Sequence, residues 1–378
     1  MLSIQHPNLL PHLERLGYGL CPVFMPRAQR FFLVLKANKE AILTARVNNG
    51  FKIYLLGEDS SSTTHLGFVT AFFDDHDEPL VVVSPQYTGD DLLRDISLLL
   101  GQDQFDVYFF DEHNRELMGV QVINTDAERF RQEIAAATFP TFDSAEVQTT
   151  VDRLKRRFGS RDHLDDANAF AITFAERLYP DDSVLIDARD EAYQFQDAQS
   201  HVALTSLERQ DPGPFQERDI AVMLGRVFSA ECIYLNPFRS DTGKELTDVL
   251  VVTDNVILCI QAKDSPNTEA ALRRTLMRKR LAIRAHIEKA TKQLAGALTY
   301  LAAHEDIVIR TKTGTATLVV SGRQLWGIVV VHEMFDDDYI TCSAPVLNLV
   351  NRLHLPAILT DYAGLMSFRR ICGLRLVF

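Results

Sequence analysis

Two runs rich in Val, Ile and Leu, Leu246 to Thr253 and Val256 to Ala262, are separated only by Asp254-Asn255. Asp and Asn tolerate the positive φ of a tight turn, so the spacing predicts a β-hairpin with a two-residue loop. Such a loop sets Thr253 opposite Val256 and fixes every other facing pair. Asp248 then falls opposite Gln261, on one face and with Cβ atoms about 5 Å apart. Lys263 lies two residues further on and shares that face. A carboxylate, an amide and an ammonium thus crowd one end of an apolar hairpin, where burying a charge without a partner costs several kcal/mol.

A divalent metal and a phosphate would compensate them. Asp248 and the side-chain oxygen of Gln261 are hard oxygen ligands, and the carbonyl of Ala262 adds a third, a set suited to Mg²⁺ with Mn²⁺ as substitute. Lys263 is placed to assist an attacking water or to offset charge building on phosphorus. Asp248, a spacer of 12 residues and then Gln261-Ala262-Lys263 resembles the PD-(D/E)xK nuclease superfamily, the restriction-endonuclease-like fold. The Gln form is similar to Mrr-type restriction endonucleases and to nuclease-related (NERD) domains. The resemblance covers roughly the C-terminal half. It implies an α/β, restriction-endonuclease-like core, a mixed sheet flanked by helices, that hydrolyses DNA phosphodiesters with a metal, in restriction or anti-phage defence. The motif departs from the family at two places. Thr247 stands where the family name has Pro, and Gln261 replaces a carboxylate. The second departure weakens charge neutralisation at a metal and supports an alternative, a decayed nuclease fold that only docks DNA or protein.

The net charge of -12 argues at first against nucleic acid, but the charge is unevenly spread. From Leu207 onward the chain holds 21 Lys and Arg against 19 Asp and Glu, so the acidity belongs to the front, and such asymmetry suggests divided labour. With 378 residues there is room for two or three domains. No apolar run reaches the roughly 18 residues of a membrane span and no signal peptide opens the chain, so a soluble cytoplasmic protein is expected. Five scattered cysteines without metal-ligand spacing are expected to be reduced and buried.

Three segments follow. Residues 1–126 read as an α+β recognition or regulatory domain that binds a protein partner or restrains the nuclease. Its strands are expected at Phe31 to Leu35, Phe51 to Leu56, Leu66 to Phe73, Leu80 to Ser84, Phe105 to Phe110 and Leu117 to Ile123, with a helix over Asp90 to Leu100. His76 among Asp74, Asp75 and Asp77 reads as a solvated turn. Residues 127–206 read as a helical connector with helices at Val147 to Phe158 and Leu164 to Leu178. Residues 207–378 read as the nuclease-like domain.

In that domain a helix follows Asp211-Pro-Gly-Pro214, with Ile220, Leu224, Val227 and Phe228 as its apolar stripe. Glu217 lies on the stripe side in the first turn. The superfamily resemblance implies a metal-reaching glutamate at this place; the plain alternative is an exposed carboxylate favoured by the helix dipole. Glu245 reads as solvated at the hairpin edge. Glu269 to Ala302 reads as one long helix or two consecutive ones. Arg273, Arg274, Arg278, Lys279, Arg280, Arg284, Lys289 and Lys292 stand there against Glu269 and Glu288 alone, a local excess that suits phosphate-backbone contact. Arg278, Lys279, Arg280 and Arg284 are the first candidates. Thr317 to Ser321 and Trp326 to His332 read as strands, Asp336-Asp337-Asp338 as a solvated turn, and His332 and Glu333 as groups behind the site. Val346 to Leu353 and Asp361 to Phe368 are expected as helices. A nuclease that cuts both strands would act as a homodimer, by analogy.

Overall fold

The computed structural model describes all residues except 26–28, 60–61, 74–78, 181–184, 187–203, 313, 336–337, 363 and 366–378. The chain is mixed α/β and divides into two compact units. The first comprises Met1–Leu185, Thr205–Glu208 and Asn267–Arg273; the second holds Arg209–Pro266 and the chain from Arg274 onward, together with the stretch 186–204.

The first unit is built on an eight-stranded sheet. Its order is Gly19–Met25, Arg30–Lys36, Gln104–Phe110, Glu116–Asn124, Phe170–Arg177, Gly50–Gly57, His65–Phe72 and Leu80–Pro85. The second and third strands are parallel and the other neighbours antiparallel. The two outermost strands also meet, because Leu20 N–H donates to Ser84 Oγ at 3.0 Å. Helix Lys39–Val47, capped by Asn38, is buried nearly all round, as its run Ala41-Ile-Leu-Thr-Ala45 requires. The six strands and the helix expected in the first 126 residues are present within a residue or two.

The segment 127–206 does not form a separate helical connector, since as far as Leu185 it belongs to the first unit. Helices Ala127–Ala136 and Val147–Gly159 pack there, but Leu164 to Leu178 is not one helix. It is a short helix, His163–Asn168, followed by strand Phe170–Arg177, which sits between Glu116–Asn124 and Gly50–Gly57. Phe170 and Phe174 are four apart and so fit both periods. The deciding pattern is two-fold: Phe170 and Ile172 are buried and Ala171 and Thr173 are exposed. The expected turn around His76 lies outside the described residues.

The second unit carries a five-stranded sheet in the order Ile233–Leu235, Val249–Val252, Val256–Lys263, Gln324–Val331 and Ala357–Asp361. The first three strands are antiparallel and the last three parallel. On one face Leu250, Ile257, Cys259 and Val329 pack with Ile287, Leu294 and Leu298 of the long helix Leu276–Ala302. On the other, Val249, Ile260, Ala262 and Val330 pack with Ile220, Ala221 and Met223 of helix Gly213–Leu224. The cationic stretch is therefore two helices, Glu269–Leu272 and Leu276–Ala302, and Arg273 belongs to the first unit. Residues 357–361 form an edge strand, and Asp361, expected to begin a helix, ends it. Strand Asp306–Thr311, which sequence periodicity did not suggest, pairs with Phe238–Arg239 and Gly314–Val319 in a separate small sheet. Among the described residues no helix is long and apolar enough to cross a membrane.

Candidate active site

The hairpin has the expected register: Val249 faces Ile260, Leu250 faces Cys259, Val251 faces Leu258 and Val252 faces Ile257. The turn closes without positive φ at Asp254 or Asn255. Thr253 supplies the closure instead. Its backbone N–H donates to Val256 O at 2.9 Å, and its hydroxyl accepts from Val256 N–H at 3.0 Å. Alternation along Val256–Lys263 then puts Gln261 and Lys263 on the side of Ile257 and Cys259, which the long helix covers, while Asp248 sits in a bend just before strand Val249–Val252.

Asp248 is 3% exposed and Gln261 2%. Asp248 Oδ2 accepts from Ala262 N–H at 2.6 Å and from the Lys263 ammonium at 3.3 Å, so both fixed donors converge on one carboxylate oxygen. Lys263 also donates to the Ala262 carbonyl at 2.7 Å, the same oxygen that stands as a candidate metal ligand. Thr247, at the position named for Pro in the motif, donates its hydroxyl to Ile260 O at 2.7 Å and staples the strands beside Asp248. A Pro there would lack that bond.

Glu217 approaches from helix Gly213–Leu224. Its Oε2 accepts from the Asn236 amide at 2.9 Å, and Asn236 N–H donates to Asp248 O at 2.8 Å. Asn236 thus ties the helix glutamate to the hairpin aspartate. It holds a left-handed φ of 48°, which Asn tolerates better than most residues. The pair Asn236-Pro237 was the only sequence sign of it. Burial pushes the Glu217 carboxyl up to about 7, and the nearby charges of Asp248 and Glu245 push the same way, against the Asn236 hydrogen bond and Lys263. Glu245 is likewise raised, by burial and then by Asp248. It bridges to Phe238 at the hairpin edge and takes part in the field of the site, which its reading as plain edge solvation missed.

Two carboxylates therefore compete for one low-dielectric corner, and Lys263 offsets them only in part. That donor set fits a divalent cation: Asp248 and Glu217 as charged ligands, with the Gln261 and Ala262 oxygens as neutral ones. The side-chain oxygen of Asn236 and both amide atoms of Gln216, next to Glu217, are buried without a hydrogen-bond partner among the described residues. Ordered water or a water-carrying ion would satisfy them. Among the described residues no three His, Cys, Asp or Glu side chains gather as a metal cluster by themselves.

The cations are more dispersed than the sequence suggested. Arg274 and Arg278 are exposed at the start of the long helix. Arg280 stacks over Phe335 at 4.8 Å. Arg284 is committed to a two-pronged pair with Asp338, at 3.0 and 2.6 Å. Asp338, expected in a solvated turn, is buried, and that pair holds its carboxyl below the usual range; 336–337 lie outside the described residues. Arg273 pairs at 4.0 Å with Glu269. Comparison with family models, with curated proteins and with solved structures found no match.

Proposed function

We propose that the second unit is a metal-dependent DNA endonuclease of restriction-endonuclease-like type. The observation that carries this reading is the convergence of Glu217, Asp248 and Lys263 at the open end of the hairpin, where the Ala262 N–H next to Gln261 also binds Asp248. Proteins seldom assemble two carboxylates and an ammonium at the end of an apolar sheet without a ligand to offset them.

Asp248, Glu217 and the oxygens of Gln261 and Ala262 would hold Mg²⁺, which supplies charge offset for an anionic phosphodiester and acidifies a bound water. Asp248 is oriented by the Ala262 N–H. Asn236 holds Glu217 beside it. Lys263 turns its ammonium to the reacting phosphate once that phosphate competes with Asp248 for it. Arg274 and Arg278 are placed to take up backbone phosphates without reading bases.

The test is nicking of supercoiled plasmid by the full chain with Mg²⁺, Mn²⁺ or EDTA. Metal-dependent cleavage that falls at least about 100-fold in both Asp248→Asn and Lys263→Ala supports the reading. One observation favours the alternative of a binding module: the neutral amide of Gln261 stands where a second strand carboxylate would. On that reading the folded protein binds DNA equally with metal or EDTA and never cuts it.

A further inference from the structure

The ends of the two parallel strands Val256–Lys263 and Gln324–Val331 carry a second polar group that the proposed metal set does not use. Asp264 directly follows Lys263, and His332 directly follows Val331, the neighbour of Lys263 in the sheet. His332 Nδ1 lies 2.8 Å from Asp264 Oδ1. The Asp264 side chain is 1% exposed and that of His332 12%. Asp264 Oδ1 is also held by Ser265 N–H at 2.8 Å, so the carboxylate is oriented from the backbone as well.

An imidazole that gives its Nδ1–H to a buried carboxylate has its tautomer and ring plane fixed, and Nε2 becomes the atom through which it exchanges a proton. His286, from the long helix, lies within electrostatic range of Asp264, Lys263 and His332. Burial, joined by Lys263, Lys289 and His332, lowers its proton affinity against the opposing pull of Asp264. Lys263, the other proton-bearing group here, is tied to Asp248 and to the Ala262 carbonyl.

Resting on the nuclease reading, we infer that His332, oriented by Asp264, protonates the departing ester oxygen during phosphodiester hydrolysis. The step balances as follows. The water oxygen forms the new bond to phosphorus, and the bond from phosphorus to the 3′ oxygen breaks with its electron pair on that oxygen. The 3′ oxygen takes the proton from Nε2 of His332. The proton shed by the attacking water passes to solvent, which reprotonates the imidazole.

The experiment compares leaving groups. The cleavage position on plasmid is mapped, and duplexes are made with that linkage bridged to the 3′ carbon by oxygen or by sulfur. A departing thiolate needs no proton. In the full chain with Mn²⁺, His332→Ala is expected to cut the oxygen duplex about 100-fold or more slowly than wild type and the sulfur duplex within about threefold. Asp264→Asn should show the same pattern more weakly, and melting curves confirm that each variant is folded. Equal slowing on both duplexes, or no slowing on either, overturns the assignment of His332 as proton donor while leaving the nuclease reading intact. Wild type that cuts neither plasmid nor duplex overturns both.

Discussion

At the scale of single residues, the site shows how a charge is kept in a place that disfavours it. Burial raises the Glu217 carboxyl to about 7 from the ordinary 4.5. A carboxyl whose folded pKa is raised contributes stability fully below its unfolded pKa, and that contribution is lost as pH rises through the folded one. In EDTA, Glu217→Gln should therefore be more stable than wild type at pH 8 by about 1–2 kcal/mol, after allowance for partial exposure, and equal to it near pH 4.5. Urea titration at the two pH values checks this. Saturating Mg²⁺ should close the gap at pH 8 by stabilising only the wild type. A gap of the same size at both pH values would show that Glu217 matters for packing and not for charge. Thr247 offers a second check. Removing its buried bond to Ile260 with Thr247→Val should cost about 1–2 kcal/mol in the same titration.

At the scale of elements, the hairpin was legible because a two-residue loop and a period of two leave one register, and both are local. Gln261 and Lys263 inherit their shared face from that arithmetic, and the Ala262 N–H and the Lys263 ammonium hold Asp248 beside them. What was not legible depends on partners distant in sequence. Phe170–Arg177 declares itself a strand only between two others, because Phe170 and Phe174 satisfy a helical spacing equally well. Ala357–Asp361 is half-exposed and short, so its apolar content falls below the strand signal until it pairs with Gln324–Val331. Arg284 resembled its exposed cationic neighbours, and only the fold brings Asp338 to it. Gly327 shows the opposite kind of constraint. A Cβ there would lie 2.8 Å from Leu294 Cδ2 and 3.3 Å from the Cβ of Ala357, so the long helix and the edge strand approach at this residue. Gly327→Ala should destabilise by about 1–3 kcal/mol, and Leu294→Ala alone by about 2–5 kcal/mol. Because Leu294 is the atom pair in the way, the double variant should lose less than the two single losses combined, measured by a double-mutant cycle in denaturant. Strict additivity would mean the sheet, and not the helix, yields to the new methyl.

At the scale of the whole molecule, the acidity of the front and the cations of the second unit frame the expectations for DNA. Arg274, just before the long helix, and Arg278, in its first turn, are both exposed. Replacing both with Ala should weaken DNA binding without changing sequence preference and reduce the slope of log affinity against log salt by about 2. Arg284→Ala should leave that slope alone, because its charge is spent on Asp338. The two-unit division itself was only partly visible. Asp211-Pro-Gly-Pro214 marks where the second unit takes over, but nothing local marks Asn267–Arg273 as part of the first.

That short stretch ties the molecule in a way that composition does not reveal. Asn267 donates its amide to the backbone carbonyls of Lys39 and Leu207, and Leu272 is buried in the core of the first unit. The chain thus leaves the front unit, builds the motif hairpin, returns to finish the front unit and only then enters the long helix. During synthesis the front unit lacks a piece of its core until the ribosome has already made Asp248 and Lys263. A gene cut at Leu207 would likewise give a front half with an empty seat and a back half with an unhoused Leu272, so the two are one heritable block.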